Sequence, residues 1–480
     1  MKQFLELALD TAKHEGATYA DIRIIDDDSE GIAVKNGKVG RIDRSNSLGF
    51  GVRVIKDGAW GFASSSTLTK DEVQRIASLA ARIAKASATL SKKPVELVPE
   101  PAHTDKWTSN YIIDPFTVPL EEKLDLLFKI DSILRKDKKI VVAEGHMSFW
   151  REHQFFASTD GSVIEQTILR SGAGYEAQAR DGSELQTRSY PMMGGQYMQL
   201  GYELIPALRL LENAERVREE AIALLTAPQC PEGKFDLILE GSQLALQIHE
   251  SLGHPSELDR VLGMEANYAG TSFLTTEKLG KFKYGSDIVN IVADGTVPNG
   301  LATVGYDDDG VRAQRWFLVK DGIFSGYLTN RELAGVIGEK LSRGANRADG
   351  YSSLPMIRMT NISLLPGNVP YDDIIADTED GIVMATTKSW SIDQRRLNFQ
   401  FGCEIGYLVK HGKITGIVKN PTYQGITPEF WNSCDAIADE KSWVLWGVPN
   451  CGKGQPGQRA EMSHGASAAR FRKVTVGVAR

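Results

Sequence analysis

Apolar positions recur every three or four residues at the start of the chain, where Phe4, Leu5, Ala8 and Ala12 share a face and predict a helix over 2–15. Alternation then takes over. Phe50, Val52 and Val54 alternate with Gly51 and Arg53, and Asn36-Gly37 and Asp57-Gly58 are hairpin signals between strands. A second helix opens at Thr69, with Glu72 three residues on in a capping-box pattern, and turns Val73, Ile76, Ala80 and Ile83 inward. The stretch Ser87 to Asp114 carries Lys92-Lys93-Pro94 and further prolines and reads as a linker.

Leu120 to Leu134 is again helix-periodic, and strands follow from Ile140 to Leu200, with turns at Asp160-Gly161 and Asp181-Gly182. Ala207 to Leu225 returns to the helical period, and Pro228 to Glu232 marks a boundary. Beyond it, a strand over Phe235 to Leu239 runs into a helix over Gln243 to Leu252. Short strands then succeed one another between turns at Asp294-Gly295, Asp309-Gly310, Asp321-Gly322, Glu379-Asp380-Gly381 and His411-Gly412, with one short helix starting at Thr329 and Glu332. The expectation is an α+β protein of three units. These are an N-terminal α/β domain (1–90), a middle domain of two helices framing an antiparallel sheet (110–226), and a strand-rich C-terminal domain (227–480), barrel- or sandwich-like.

Composition narrows the function. With 42% hydrophobic and 24% charged residues in 480, the chain is an ordinary globular one rather than a disordered one. Its 62 acidic residues outnumber 55 basic ones, giving −7, a poor basis for nucleic-acid binding. No run approaches 18 apolar residues, so no membrane span is expected. Glu6, Asp10 and Glu15 interrupt the first apolar stretch and argue against a secretory leader. Four cysteines (Cys230, Cys403, Cys434, Cys451) are too few for a disulfide framework, and a cytoplasmic location is expected.

Of eight histidines, two lie in His249-Glu250-Ser251-Leu252-Gly253-His254, the zinc-protease pattern H-E-x-x-H with one residue added. Histidines four apart are offset by about 40° around an α-helix and can face one metal; five apart the offset is about 140°. Gly253 as a helix breaker, and Pro255 pushing His254 toward extended angles, would end the helix near Leu252 and let His254 fold back. Glu250 would then stand beside the metal as a general base. A third ligand must come from elsewhere, and Cys451, Cys403, Cys434, His411 and His464 are the candidates. Cys451 lies in a Gly- and Pro-rich turn suited to reach a cleft, whereas Cys403 reads as a buried strand residue.

The segment His249 to Glu257, together with Asn450-Cys451-Gly452-Lys453-Gly454-Gln455, resembles the TldD/PmbA family of metalloproteases, as does the three-unit layout over nearly the whole chain. Within that family the chain is similar to the TldD type, which keeps the metal ligands, and unlike the PmbA type. The resemblance implies His249, His254 and Cys451 as metal ligands, Glu250 as the base that activates water, zinc as the metal and proteolysis as the activity. It further implies small or unfolded polypeptide substrates and a dimer, formed with itself or with a PmbA-type paralogue. Two rivals stand beside it: a non-catalytic peptide-binding or scaffold subunit, and a metal-dependent amidase on a small non-peptide substrate.

Other features carry blander expectations. Asp307-Asp308-Asp309-Gly310 lacks the spaced ligands of a calcium loop and reads as a solvated turn. Ser342 to Arg347 reads as a surface loop with ordinary salt bridges rather than a substrate-binding one. Gly452-Lys453-Gly454-Gln455 is too short for a phosphate loop, and Trp443 and Trp446 read as packing anchors. The basic run from Arg470 to Arg480 has no functional reading.

Overall fold

The computed structural model describes residues 1–477. Asn36 and Gly37, and again Asp57 and Gly58, take the left-handed angles that a tight hairpin with native twist demands. They fold this part of the chain into three antiparallel strands, Tyr19–Lys35, Lys38–Lys56 and Ala59–Ser65. Helices Lys2–His14 and Lys70–Ala88 cover one face, the second capped as expected by the Thr69 side chain accepting from Glu72 N–H. Leu5, Ala8, Ala12, Val73, Ile76 and Ala80 enter the core beneath them, but Ile83 faces solvent, with Ala84 in the buried position.

The first two expected units share one sheet. Tyr19–Lys35 pairs along its length with Ile140–Ser158 of the middle unit, producing eight strands in a continuous layer. Each unit keeps its own core, the second formed where helices Leu120–Leu134 and Leu210–Thr226 pack on the sheet. The Ser87 to Asp114 stretch is not a bare linker, because Thr104–Thr108 adds a parallel strand to that sheet beside Val163–Asp181.

In the C-terminal unit the strand Gly233–Leu239 pairs with Ala469–Val476, which pairs with Thr422–Ile426, then Asn398–Lys410, then Asp380–Ile392, which returns to Gly233–Leu239. The ring closes as a five-stranded barrel, which answers the barrel-or-sandwich alternative and removes the free sheet edges. Asp380-Gly381 opens a barrel strand instead of forming a turn. The basic run supplies the closing strand, with Arg470 and Arg472 bound to Asp435 and to Asp377 or Asp236; residues 478–480 lie outside the described part.

The acidic turn departs from expectation. Asp307, Asp308 and Asp309 are buried, not solvated. Arg23 reaches Asp308 at 3.2 Å, and Arg53 bridges Asp21 at 2.6 Å and Asp309 at 2.8 Å, so arginines of the N-terminal sheet fasten it to the C-terminal unit. The Ser342 to Arg347 loop is likewise drawn inward: Ser342, Ala345 and Asn346 are buried, and Asn346 donates to Asp309 at 2.8 Å. A local run of acids does not reveal the first change, because the counter-charges Arg23 and Arg53 lie more than 250 residues away, and the second follows from it, through Asn346. Among the described residues no helix is long and apolar enough to cross a membrane.

Candidate metal centre

The helix Gly241–Ile248 follows the barrel strand Gly233–Leu239 directly and buries Leu244, Ala245 and Ile248. At His249 its hydrogen bonding changes register: the N–H of His254 bonds the carbonyl of His249, five residues back. This wider turn resolves the five-residue spacing, since one residue is inserted into the helical ladder and both histidines return to the same side. The expected route was different. His254 stays helical, at φ −59° and ψ −44°, and is itself the first residue of a short 3₁₀ turn, His254–Ser256. Gly253 is helical too, and a Cβ there would lie 2.2 Å from Met359 Sδ, so its place is set by close packing.

The third residue comes from a two-stranded ribbon, Val444–Lys453 paired with Gln458–Ala466. Cys451 lies within the first of these strands rather than in the turn after it, and its Sγ is 3.5 Å from His254 Nε2. Among the described residues, His249, His254 and Cys451 form the one group of three suitable donors, all buried and with ligand atoms within 4.8 Å of one another.

The surroundings fix which atoms face the cluster. His464 lies on the second ribbon strand, where its Nδ1 donates to the Ile362 carbonyl at 3.0 Å, leaving Nε2 to accept from His249 Nδ1 at 2.8 Å. His254 Nδ1 donates to Glu257 Oε2 at 2.9 Å. Both cluster histidines therefore turn a bare Nε2 inward, the arrangement that orients metal-binding imidazoles. Glu257 is in turn held within a buried network in which Lys453 Nζ reaches it at 3.4 Å and binds Asp259 at 2.7 Å.

Burial is the leading influence on every group here. It pushes the His249 and His254 imidazoles well below their ordinary range, aided for His254 by the charges of Arg396, Arg260 and Arg358. It raises the Cys451 thiol to about 11, against the pull of Arg358. It raises Glu250 above the usual carboxyl range, against the pull of Arg396, whose Nη1 contacts Glu250 Oε2. Neutral imidazoles are ready ligands, and the thiol must lose its proton when a metal binds. Two nitrogens and one sulfur at this spacing suit zinc in a three-ligand site with an open fourth position.

The other candidates fall away. Cys403 is buried in a barrel strand, and Cys434 is buried in the short strand Cys434–Ile437 that pairs with Ala469–Val476. His411 is exposed on a hairpin beside Glu379. His464 is at the site, standing behind His249. Lys453 is committed to Asp259, which closes the phosphate reading. Trp443 donates to the Leu364 carbonyl and packs the ribbon in place.

A helix that leaves a closed barrel and a separate two-stranded ribbon bring two histidines, a glutamate and a distant cysteine together in a donor set that could hold a metal ion. Family models agree along the chain: the PmbA/TldA metallopeptidase domain 1 matches residues 20–84, the central domain 113–225 and the C-terminal domain 232–478. The chain belongs to this TldD/PmbA family. It is 30% identical to a metalloprotease of Methanocaldococcus jannaschii over 95% of its own length and 96% of the relative's. It is 27% identical to a metalloprotease TldD homolog of Buchnera aphidicola over 96% and 92%, and 22% identical to a zinc metalloprotease TldD homolog of Saccharolobus solfataricus over 97% and 98%. TldE from Thermococcus kodakarensis has the same fold, with a TM-score of 0.74 at 18% identity, covering 99% of this chain and 100% of that one.

Proposed function

We propose that the chain is a zinc-dependent metallopeptidase that hydrolyses small or unfolded polypeptides, with His249, His254 and Cys451 holding the metal and Glu250 acting as general base. The convergence of two bare Nε2 atoms and one thiol beside a buried carboxylate carries this reading. A zinc ion held by these three residues supplies Lewis acidity toward the scissile carbonyl and acidifies water. Glu250, the residue after the first ligand, takes a proton from the attacking water and passes it to the leaving amine as the C–N bond breaks. Burial raises its carboxyl above the ordinary range, which suits a base that must also return the proton. His464 and Glu257 hold the two imidazoles in the required tautomer.

Dimer formation, with a second copy or with a PmbA-type paralogue, belongs to the same proposal, and sedimentation of the chain alone and with such a paralogue tests it. Cytoplasmic residence is proposed on the four free cysteines. The activity is tested on casein before and after chelation and zinc return. Cleavage that stops with the fold intact and resumes with zinc supports a catalytic metal. Unfolding on chelation favours a binding subunit braced by metal. Cleavage indifferent to chelation contradicts the reading.

A further inference from the structure

Three arginines surround the metal centre, and two are committed to the framework. Arg358 donates to the carbonyls of Cys451 and Gln458, and Arg260 is paired with Glu265 at 2.9 Å. The third, Arg396, is placed differently. It comes from the turn between barrel strands Asp380–Ile392 and Asn398–Lys410 and lies against Glu250.

That turn is built to aim one side chain inward. Arg396 holds φ +62°, a left-handed angle that a branched or long residue adopts only under constraint. Its neighbour Arg395 points to solvent, whereas the Arg396 side chain is only 14% exposed. The constraint is visible. Arg396 N–H bonds the Asp393 carbonyl at 2.9 Å, and the Asp393 carboxylate accepts from Leu397 N–H at 2.9 Å and Asn398 N–H at 3.1 Å. On the other side, Thr271 N–H bonds the Gln394 carbonyl at 3.0 Å and Phe273 N–H the Arg395 carbonyl at 2.9 Å. A flexible surface arginine needs no such bracing.

The guanidinium is also underused. Nη1 reaches Glu250, while Nε is buried with no hydrogen-bond partner. Arg260 and Arg358 also carry an unpaired buried Nε, but their other nitrogens are fastened to backbone carbonyls or to Glu265. The Arg396 side chain has the Glu250 contact alone, so its unpaired donor calls for a partner outside the protein. The place beside the general base is where the scissile carbonyl has to lie during hydrolysis.

We propose that Arg396 is a second catalytic residue, which donates to the scissile carbonyl oxygen and stabilises the negative charge that develops there. The inference rests on the peptidase reading above. As water's oxygen bonds to the carbonyl carbon, the C=O π pair moves onto oxygen and Glu250 takes the proton. The pair returns as the C–N bond breaks and the amine leaves with that proton. Arg396 transfers no proton at any point, because its guanidinium stays charged throughout. Donors fixed in advance at the site of developing charge are the largest single source of rate in many hydrolases.

The test compares wild type with Arg396→Gln, which keeps the stem and drops the charge, and Arg396→Lys, which keeps the charge and loses the fork. Zinc content, the melting temperature, kcat and KM on one peptide, and the affinity of a phosphinic analogue of that peptide are measured for each. Expected for Arg396→Gln is wild-type zinc content and melting temperature, KM within about twofold, and kcat down about 10²–10³-fold. The phosphinic peptide, which carries an anionic oxygen where charge develops, loses affinity by a similar factor. Arg396→Lys falls between. Unchanged kcat in an active background, KM rising alone, or loss of zinc or melting temperature overturns the catalytic role. A wild-type chain that cleaves no peptide overturns the peptidase reading itself, and this role with it.

Discussion

His464 Nε2 lies 2.8 Å from His249 Nδ1 while its own Nδ1 meets the Ile362 carbonyl at 3.0 Å, so a carbonyl of the strand Asn361–Leu364 sets the tautomer of His249 through an intermediate ring. Burial depresses His464 to about 4, which keeps it neutral and able to accept across the working pH range. His464→Phe removes that acceptor while filling the space. It should lower zinc affinity about 10–100-fold with the three ligands intact, as read by competition with a chromogenic chelator. Unaltered affinity would show that His464 merely packs.

Glu250→Gln should retain zinc at the wild-type level and lose about 10²–10⁴-fold in kcat, the range of a missing general base. Elemental analysis and initial rates on the same sample separate the two effects. A variant that turns over at the wild-type rate would remove Glu250 from the mechanism.

The buried Arg53–Asp21–Asp309 cluster fastens the N-terminal sheet to the C-terminal unit. Arg53→Ala leaves two carboxylates without their counter-charge and should cost about 3–5 kcal/mol, read as a lower urea midpoint. A midpoint within error of wild type would mean that the units hold together without it.

Asp27 is partly buried near Glu152 and Arg170, and burial with the Glu152 charge raises it to about 8, against Arg170. A carboxyl raised in the folded state binds its proton more tightly there than in the unfolded chain. Stability from this group is therefore lost as pH rises from about 4 through 8. Asp27→Asn mimics the protonated form. Its melting temperature should exceed that of wild type at pH 8 and converge with it near pH 4; a constant difference across this range would contradict the assignment.

The parts of the fold written in local chemistry were legible. The hairpins at Asn36-Gly37 and Asp57-Gly58, the Thr69 cap and the helix over Leu120–Leu134 depend on neighbouring residues alone. So did the spacing conflict between His249 and His254, though its solution was misjudged: a five-residue hydrogen bond leaves no mark that separates it from a helix end. Glu257, three residues past His254, was within sight as an acidic neighbour. Arg396 was not, since its left-handed angle and inward aim depend on a loop 125 residues earlier in the chain, at Thr271. The burial of Asp307 to Asp309 was hidden for the same reason, its arginines being on another unit.

The most direct test is zinc per chain by elemental analysis, on wild type and Cys451→Ser purified without chelator or histidine tag. About one zinc per wild-type chain, and little in Cys451→Ser at unchanged circular dichroism, is the predicted result, because a neutral hydroxyl is a poor substitute for a thiolate. Equal zinc in both proteins, or none in wild type after zinc is added back, would contradict the His249–His254–Cys451 centre.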